Sequence, residues 1–150
     1  MGGMTAALYN NDILRLAASI PHHRRLEAPQ ATAERRSPTC GSRVTVDVRM
    51  DAEGALADLG LEVRACALGQ ASASLMAAHA IGRSAQELGR ARDALTAYLA
   101  GEADSLDFWP GLEIFAPARA YPARHASIRL AFEAVAQAAR DALATSEATR

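Results

Sequence analysis

Arg43-Val-Thr-Val-Asp-Val-Arg-Met50 is the stretch that decides the fold. Val44, Val46, Val48 and Met50 alternate with Arg43, Thr45, Asp47, Arg49 and Asp51, which predicts a strand with one buried face. A turn follows at Asp51-Ala-Glu-Gly54, and a second alternation sets Leu59, Leu61, Val63 and Ala65 against Glu62 and Arg64 before ending at Cys66. Two such runs joined by a short Gly-containing connection predict an antiparallel hairpin. Upstream, the polar stretch His22 to Ser37 has room for one edge strand around Leu26 to Glu34. Before it, Leu8, Ile13, Leu14, Leu16 and Ala17 fit a helix between Thr5 and Ile20, stopped by Pro21. Downstream, Ala71, Leu75, Ala78 and Ile81 predict a helix from Gly69 with Gly82 as its C-cap. Ser84-Ala-Gln-Glu87 reads as a capping box opening a helix through Leu88, Leu95 and Leu99. Residues 102–121 read as a loop with one short helical turn, anchored by Phe108 and Trp109. A last helix begins near Pro122 to Ser127 and runs through Leu130, Phe132, Val135 and Leu143. The expected fold is α+β: an antiparallel sheet of about three strands with helices packed on one face. It forms a single domain over 1–150, with a core at about 7–143 and a frayed tail at 144–150.

With 150 residues and 50% hydrophobic side chains, the chain can bury a core of one domain's size. The 16 basic and 17 acidic residues leave a net charge of -1, so the general basic field of a nucleic-acid or membrane-surface binder is missing. All 16 basic residues are Arg, which rules out lysine Schiff-base and P-loop chemistry, and 36 residues are Ala. The first 25 residues lack the pattern of a secretion signal, and no stretch approaches eighteen uninterrupted apolar residues. A cytoplasmic protein without a membrane partner is the expectation. There is no GxGxxG, Walker loop or HExxH.

Two cysteines are too few for a disulfide framework. Cys40 lies in Ser37-Pro-Thr-Cys-Gly-Ser42, a turn leading into a strand, where Pro38 and Gly41 suit a bend that turns the thiol outward. Cys66 lies where the next strand ends and a small-residue helix begins, near the end of a macrodipole that attracts anions such as thiolate. A hairpin brings both to one end of the sheet, where a shared metal or sulfur site competes with the plainer reading of two small core residues. His22-His23-Arg24-Arg25 reads as a solvated loop, and Ser72 and Ser74 as packing residues with no base to activate them.

Leu8-Tyr9 opening the first helix, Pro-Thr-Cys-Gly before a strand, and Cys66-x5-Ser-x-Ser-x-Met76 ahead of a helix together resemble the NifU N-terminal or IscU-like iron–sulfur scaffold family, most nearly its SufU-type branch. The resemblance spans about residues 7–140 and includes Pro122-Ala-Arg124 leading into the last helix. It implies three cysteines and one aspartate at one end of the sheet, binding zinc, iron or a nascent [2Fe-2S] cluster and accepting persulfide sulfur from a cysteine desulfurase. Cys40 matches the first cysteine and Cys66 the second. Ser42 stands at the aspartate position, Ser127 at the third cysteine, and Ala126 at the Lys or His before it. Serine is a hard, neutral donor and a poor substitute for thiolate. His125 is a candidate extra ligand, and a homodimer pooling two thiolates per subunit would restore four sulfur donors. The implied role is a scaffold or carrier rather than an enzyme, serving a desulfurase and apo-protein acceptors of clusters. The alternatives are a partner-binding module without a stable cluster and a persulfide-carrying accessory protein.

Overall fold

The computed structural model describes residues 8–38 and 41–148. Helix α1 (Asn11–Ala18) leads into strands β1 (Ala31–Arg36), β2 (Arg43–Met50) and β3 (Leu56–Arg64). Helices α2 (Ala67–His79) and α3 (Ala85–Leu99), a 3-10 helix (Leu112–Ala120) and the long α4 (Pro122–Ala148) complete the chain. The sheet has three antiparallel strands in the order β1-β2-β3, the expected α+β arrangement.

Register sets the core. Val44 pairs with Val63, Val46 with Leu61 and Val48 with Leu59, so these six side chains share one face and all are buried. Helix α4 lies across that face, against β1 and β2, and α2 and α3 pack on α4 in turn. Ala131, Ala134, Ala138, Ala139 and Ala142 are buried along α4, and such small side chains let a helix approach its neighbours closely. Trp109 ties the 3-10 region into this core: its Nε1–H donates to the Leu75 carbonyl at 2.9 Å and its ring meets Phe132 edge-on. Ser84 and Glu87 form the expected capping box, and no described helix is long and apolar enough to cross a membrane.

Four local expectations are corrected. The edge strand runs over Ala31–Arg36 instead of Leu26 to Glu34, because residues 22–26 cross the outer face of the sheet. Gly60 on β3 makes that approach possible, since a Cβ there would come within 2.5 Å of the Arg24 carbonyl oxygen. Helix α2 starts at Ala67 and its C-cap is Ala80; Gly82 lies beyond, at φ +92°, with its N–H bonded to Leu56 O. The segment read as a loop holds a nine-residue 3-10 helix around Pro117.

The polar rows of the hairpin are not simply solvated either. Asp47 is 0% exposed. The guanidinium of Arg25 grips it with two hydrogen bonds, at 2.7 and 3.0 Å, while Leu26 N–H donates at 2.9 Å and Thr32 Oγ1 at 2.5 Å. Burial alone would push the Asp47 carboxyl up, but the bonds from Arg25, Thr32 and Leu26 outweigh it and hold it below the ordinary range. A depressed folded value means that the contribution to stability is complete above the unfolded value near 3.8 and is lost as pH falls through the lower folded one. Arg25→Ala is expected to lower unfolding stability by about 2 kcal/mol at neutral pH, as for hydrogen bonds to a charged group with a half-exposed partner. Denaturant titration at pH 7 and pH 3 should find that deficit shrinking at the lower pH.

Candidate functional site at the end of the sheet

Strands β1 and β2 are joined by residues 37–42, and Ser37 N–H closes this loop on the Ser42 carbonyl at 2.9 Å. Gly41 takes φ +72°, a left-handed conformation that favours glycine. Thr39 and Cys40 lie outside the described residues. The last registered pair of the second hairpin is Arg43 with Arg64. Ser42 is one residue beyond that pair along one strand, and Cys66 two residues beyond it along the other. Cys66 is the N-cap residue of α2, partly buried, with its carbonyl accepting from Gln70 N–H at 2.9 Å.

The fold brings Ser127 to this end from 85 positions further along the chain. Ser42 and Ser127 are 4% and 3% exposed, and their hydroxyl oxygens are 3.4 Å apart. Gly69, in the first turn of α2, backs onto the same point: a Cβ there would sit 3.3 Å from Ser127 O and 2.7 Å from the Ala65 Cβ. One turn on, the Ser72 hydroxyl donates to the Ile128 carbonyl at 2.5 Å, the packing role expected of it. Ser42 and Ser127 are therefore in contact, beside the helix that Cys66 caps.

His125 is turned to other work. Its Nε2 lies 2.8 Å from the Ala118 carbonyl, which needs that nitrogen as a donor. Ligation by His125 would have to use Nδ1 or break this bond. Among the described residues no three His, Cys, Asp or Glu side chains gather where they could share a metal ion. Cys66 with two serine hydroxyls does not complete a four-donor set for zinc or iron.

Sequence reading missed the charged residues on this end of the sheet. Arg36, Arg43 and Arg64 stand in one row across the three strands, with Glu34 and Glu62 in the row behind. Glu34 meets Arg36 at 2.9 Å and Arg43 at 3.6 Å, while Glu62 meets Arg43 at 3.8 Å and Arg64 at 3.6 Å. The hydrogen bond from Arg36 holds the Glu34 carboxyl below its ordinary value. The signal was present as an Arg at each strand end, but aligning all three requires the β1 register.

Residues 8–102 match the sequence profile of the family described as NifU-like N terminal domain. A NifU-like protein (N-terminal) from Brucella abortus, described as nitrogen-fixing, is 42% identical in its crystal structure. The match covers 94% of this chain and 98% of that one, with a TM-score of 0.86. A protein from Fervidobacterium islandicum AW-1, described as an iron–sulfur cluster assembly scaffold for the SUF system by assignment, is 21% identical over 90% of this chain and 98% of its own, with a TM-score of 0.83. At that identity the likeness establishes the fold. None of the curated proteins matches.

Gly69→Ala is expected to destabilise the protein by about 1–3 kcal/mol, the usual range for overpacking. It should also loosen the junction of α2 with Ser127, so that Cys66 reacts faster with a thiol reagent in the native state. Thermal unfolding and timed alkylation with peptide mapping measure the two effects.

Proposed function

This chain belongs to the NifU-like N terminal domain family, and from that premise we propose that it acts in iron–sulfur cluster assembly as a scaffold-like protein in the cytoplasm. Cys40 and Cys66 are the sulfur-bearing residues of this reading. They receive sulfane sulfur from a cysteine desulfurase and hold iron, zinc or a nascent [2Fe-2S] cluster as cargo for apo-protein acceptors. The observation that carries the reading is the contact between Ser42 and Ser127 beside the helix capped by Cys66. Residues distant in sequence meet there, at the positions that hold an aspartate and a cysteine in the family pattern.

Sulfur acceptance needs a nucleophile and no fixed metal. A cysteine thiolate attacks the terminal sulfur of the desulfurase persulfide; one S–S bond forms as another breaks, the desulfurase thiolate leaves, and no net oxidation occurs. Holding the cargo is harder. Two thiolates with two hydroxyls in the remaining positions bind a soft ion more weakly than three thiolates with a carboxylate.

The serine pair also favours a second reading, a persulfide carrier that passes sulfur on without storing a cluster. Anaerobic reconstitution with iron and sulfide, followed by absorbance and metal analysis, separates the two. The scaffold reading expects a chromophore that Cys40→Ala and Cys66→Ala each abolish. The carrier reading expects no chromophore, but a persulfide mass increase on one cysteine after incubation with a desulfurase and free cysteine. Ser127→Cys, which adds the missing thiolate, is expected to tighten zinc binding by at least about tenfold, the lower bound seen when even second-shell groups are altered. Competition with a chromophoric chelator measures it.

A further inference from the structure

Helices α3 and α4 pack against each other, and a cleft of about 390 Å³ opens between them. Gln86, Gly89, Arg90 and Asp93 line it from α3 at the three- and four-residue spacing of one helix face. Ala136 and Arg140 line it from α4, one turn apart, and Arg92 reaches the same space. Arg140 follows Ser127 by thirteen residues on α4, about 20 Å at 1.5 Å per residue, so the cleft is separate from the end of the sheet.

Three arginines face one carboxylate in this cleft. Arg92 donates to both oxygens of Asp93, from Nε at 2.9 Å and from Nη2 at 3.3 Å. That bond from Arg92 holds the Asp93 carboxyl below its ordinary range, and Arg140 adds to the effect through space. Among the described residues, the guanidinium groups of Arg90 and Arg140 make no hydrogen bond or ion pair. Glu133, the nearest acid upstream on α4, does not line the cleft; it meets Arg35 at 3.7 Å and acts on Arg92 only through space. The lining therefore carries two positive charges in excess, within a chain whose net charge is -1.

Gly89 is the second observation. Glycine inside a helix is destabilising relative to alanine, and close packing accounts for it at positions such as Gly69. Nothing of the kind applies at Gly89, where a Cβ would meet only the tip of the Arg92 side chain, at 3.6 Å. With Ala136, it keeps the space between Arg90 and Arg140 clear of side chains. The volume falls within the roughly 300–1,000 Å³ of small-molecule sites. A carboxylate offers one planar edge to one guanidinium fork. A phosphate monoester carries close to two negative charges on three oxygens, which can accept from forks on two helices. The first turn of α3, which supplies Gln86, adds the positive end of its macrodipole.

We propose that Arg90 and Arg140, on either side of Gly89, bind a phosphate dianion in the α3–α4 cleft, either free or as the monoester of a small molecule.

Isothermal titration calorimetry of the full chain tests this at low ionic strength and pH 8, where phosphate is a dianion. The probes are inorganic phosphate, glycerol 3-phosphate and succinate. Saturable binding of a phosphate compound is expected, with succinate, a dianion of planar carboxylates, binding more weakly. Arg90→Gln and Arg140→Gln should each weaken binding about tenfold, the scale of one charge-assisted hydrogen bond. Arg15→Gln on α1, which removes the same charge outside the cleft, should leave binding unchanged. Gly89→Leu should abolish binding by filling the cleft, and Gly89→Ala should raise the melting temperature. Circular dichroism checks that each variant folds. Binding of glycerol 3-phosphate at least as tight as that of inorganic phosphate supports an ester ligand, and binding of inorganic phosphate alone supports the free ion. The proposal is overturned if neither phosphate compound binds saturably, if succinate binds as tightly, or if Arg15→Gln weakens binding as much as the cleft variants do. Binding that survives unchanged in Arg90→Gln and Arg140→Gln overturns it as well.

Discussion

Val44, Val46 and Val48 face Val63, Leu61 and Leu59 across one hairpin, and a shift of one residue would turn one strand's three apolar side chains to the opposite face. The cost of exposing those aliphatic side chains, roughly 1.5–3 kcal/mol each when fully buried, pins the register. Everything at the end of the sheet follows from it. The same register aligns Arg43 with Arg64, sets Asp47 opposite Gly60, and leaves Ser42 and Cys66 just past the last pair. The β1 pairing extends each row by one residue, adding Arg36 to the arginines and Thr32 to the Asp47 row.

The outer face shows how a buried charge is accommodated in so small a sheet. Asp47 accepts four hydrogen bonds, two of them from the fork of Arg25, and Gly60 beside it leaves room for residues 24–26 to lie against the strands. A carboxylate buried without such partners would be expensive. The segment carrying Arg25 therefore acts as a cover for the outer face, and β1 begins only after that cover has been laid.

At the site, donor chemistry and position have separated. The backbone brings Ser42 and Ser127, 85 positions apart in the chain, into contact at the end of the sheet. The side chains there are two neutral hydroxyls, suited to hydrogen bonding within a packed junction and poorly suited to soft metals. Nearby, Arg36, Arg43 and Arg64 give the same end of the sheet a positive lip.

The strands, the capping box at Ser84 and Glu87, and the position of Cys66 at the head of α2 were legible in the sequence because each depends on neighbours within a few residues. So was the α+β order, which periods of 2 and 3.6 distinguish. The start of β1 was not, because Leu26 and Arg25 are drawn away by Asp47, over 20 positions further on. Nor was the occupation of His125, whose partner Ala118 belongs to a 3-10 helix that Pro117 made look like a loop. Local periodicity, capping and motif spacing thus determined which elements form and where the thiols sit along the chain. Only the tertiary structure decided that Asp47 is buried, that Ser42 meets Ser127 and that three arginines line one cleft, because these depend on register and on long-range packing that no local window of sequence contains.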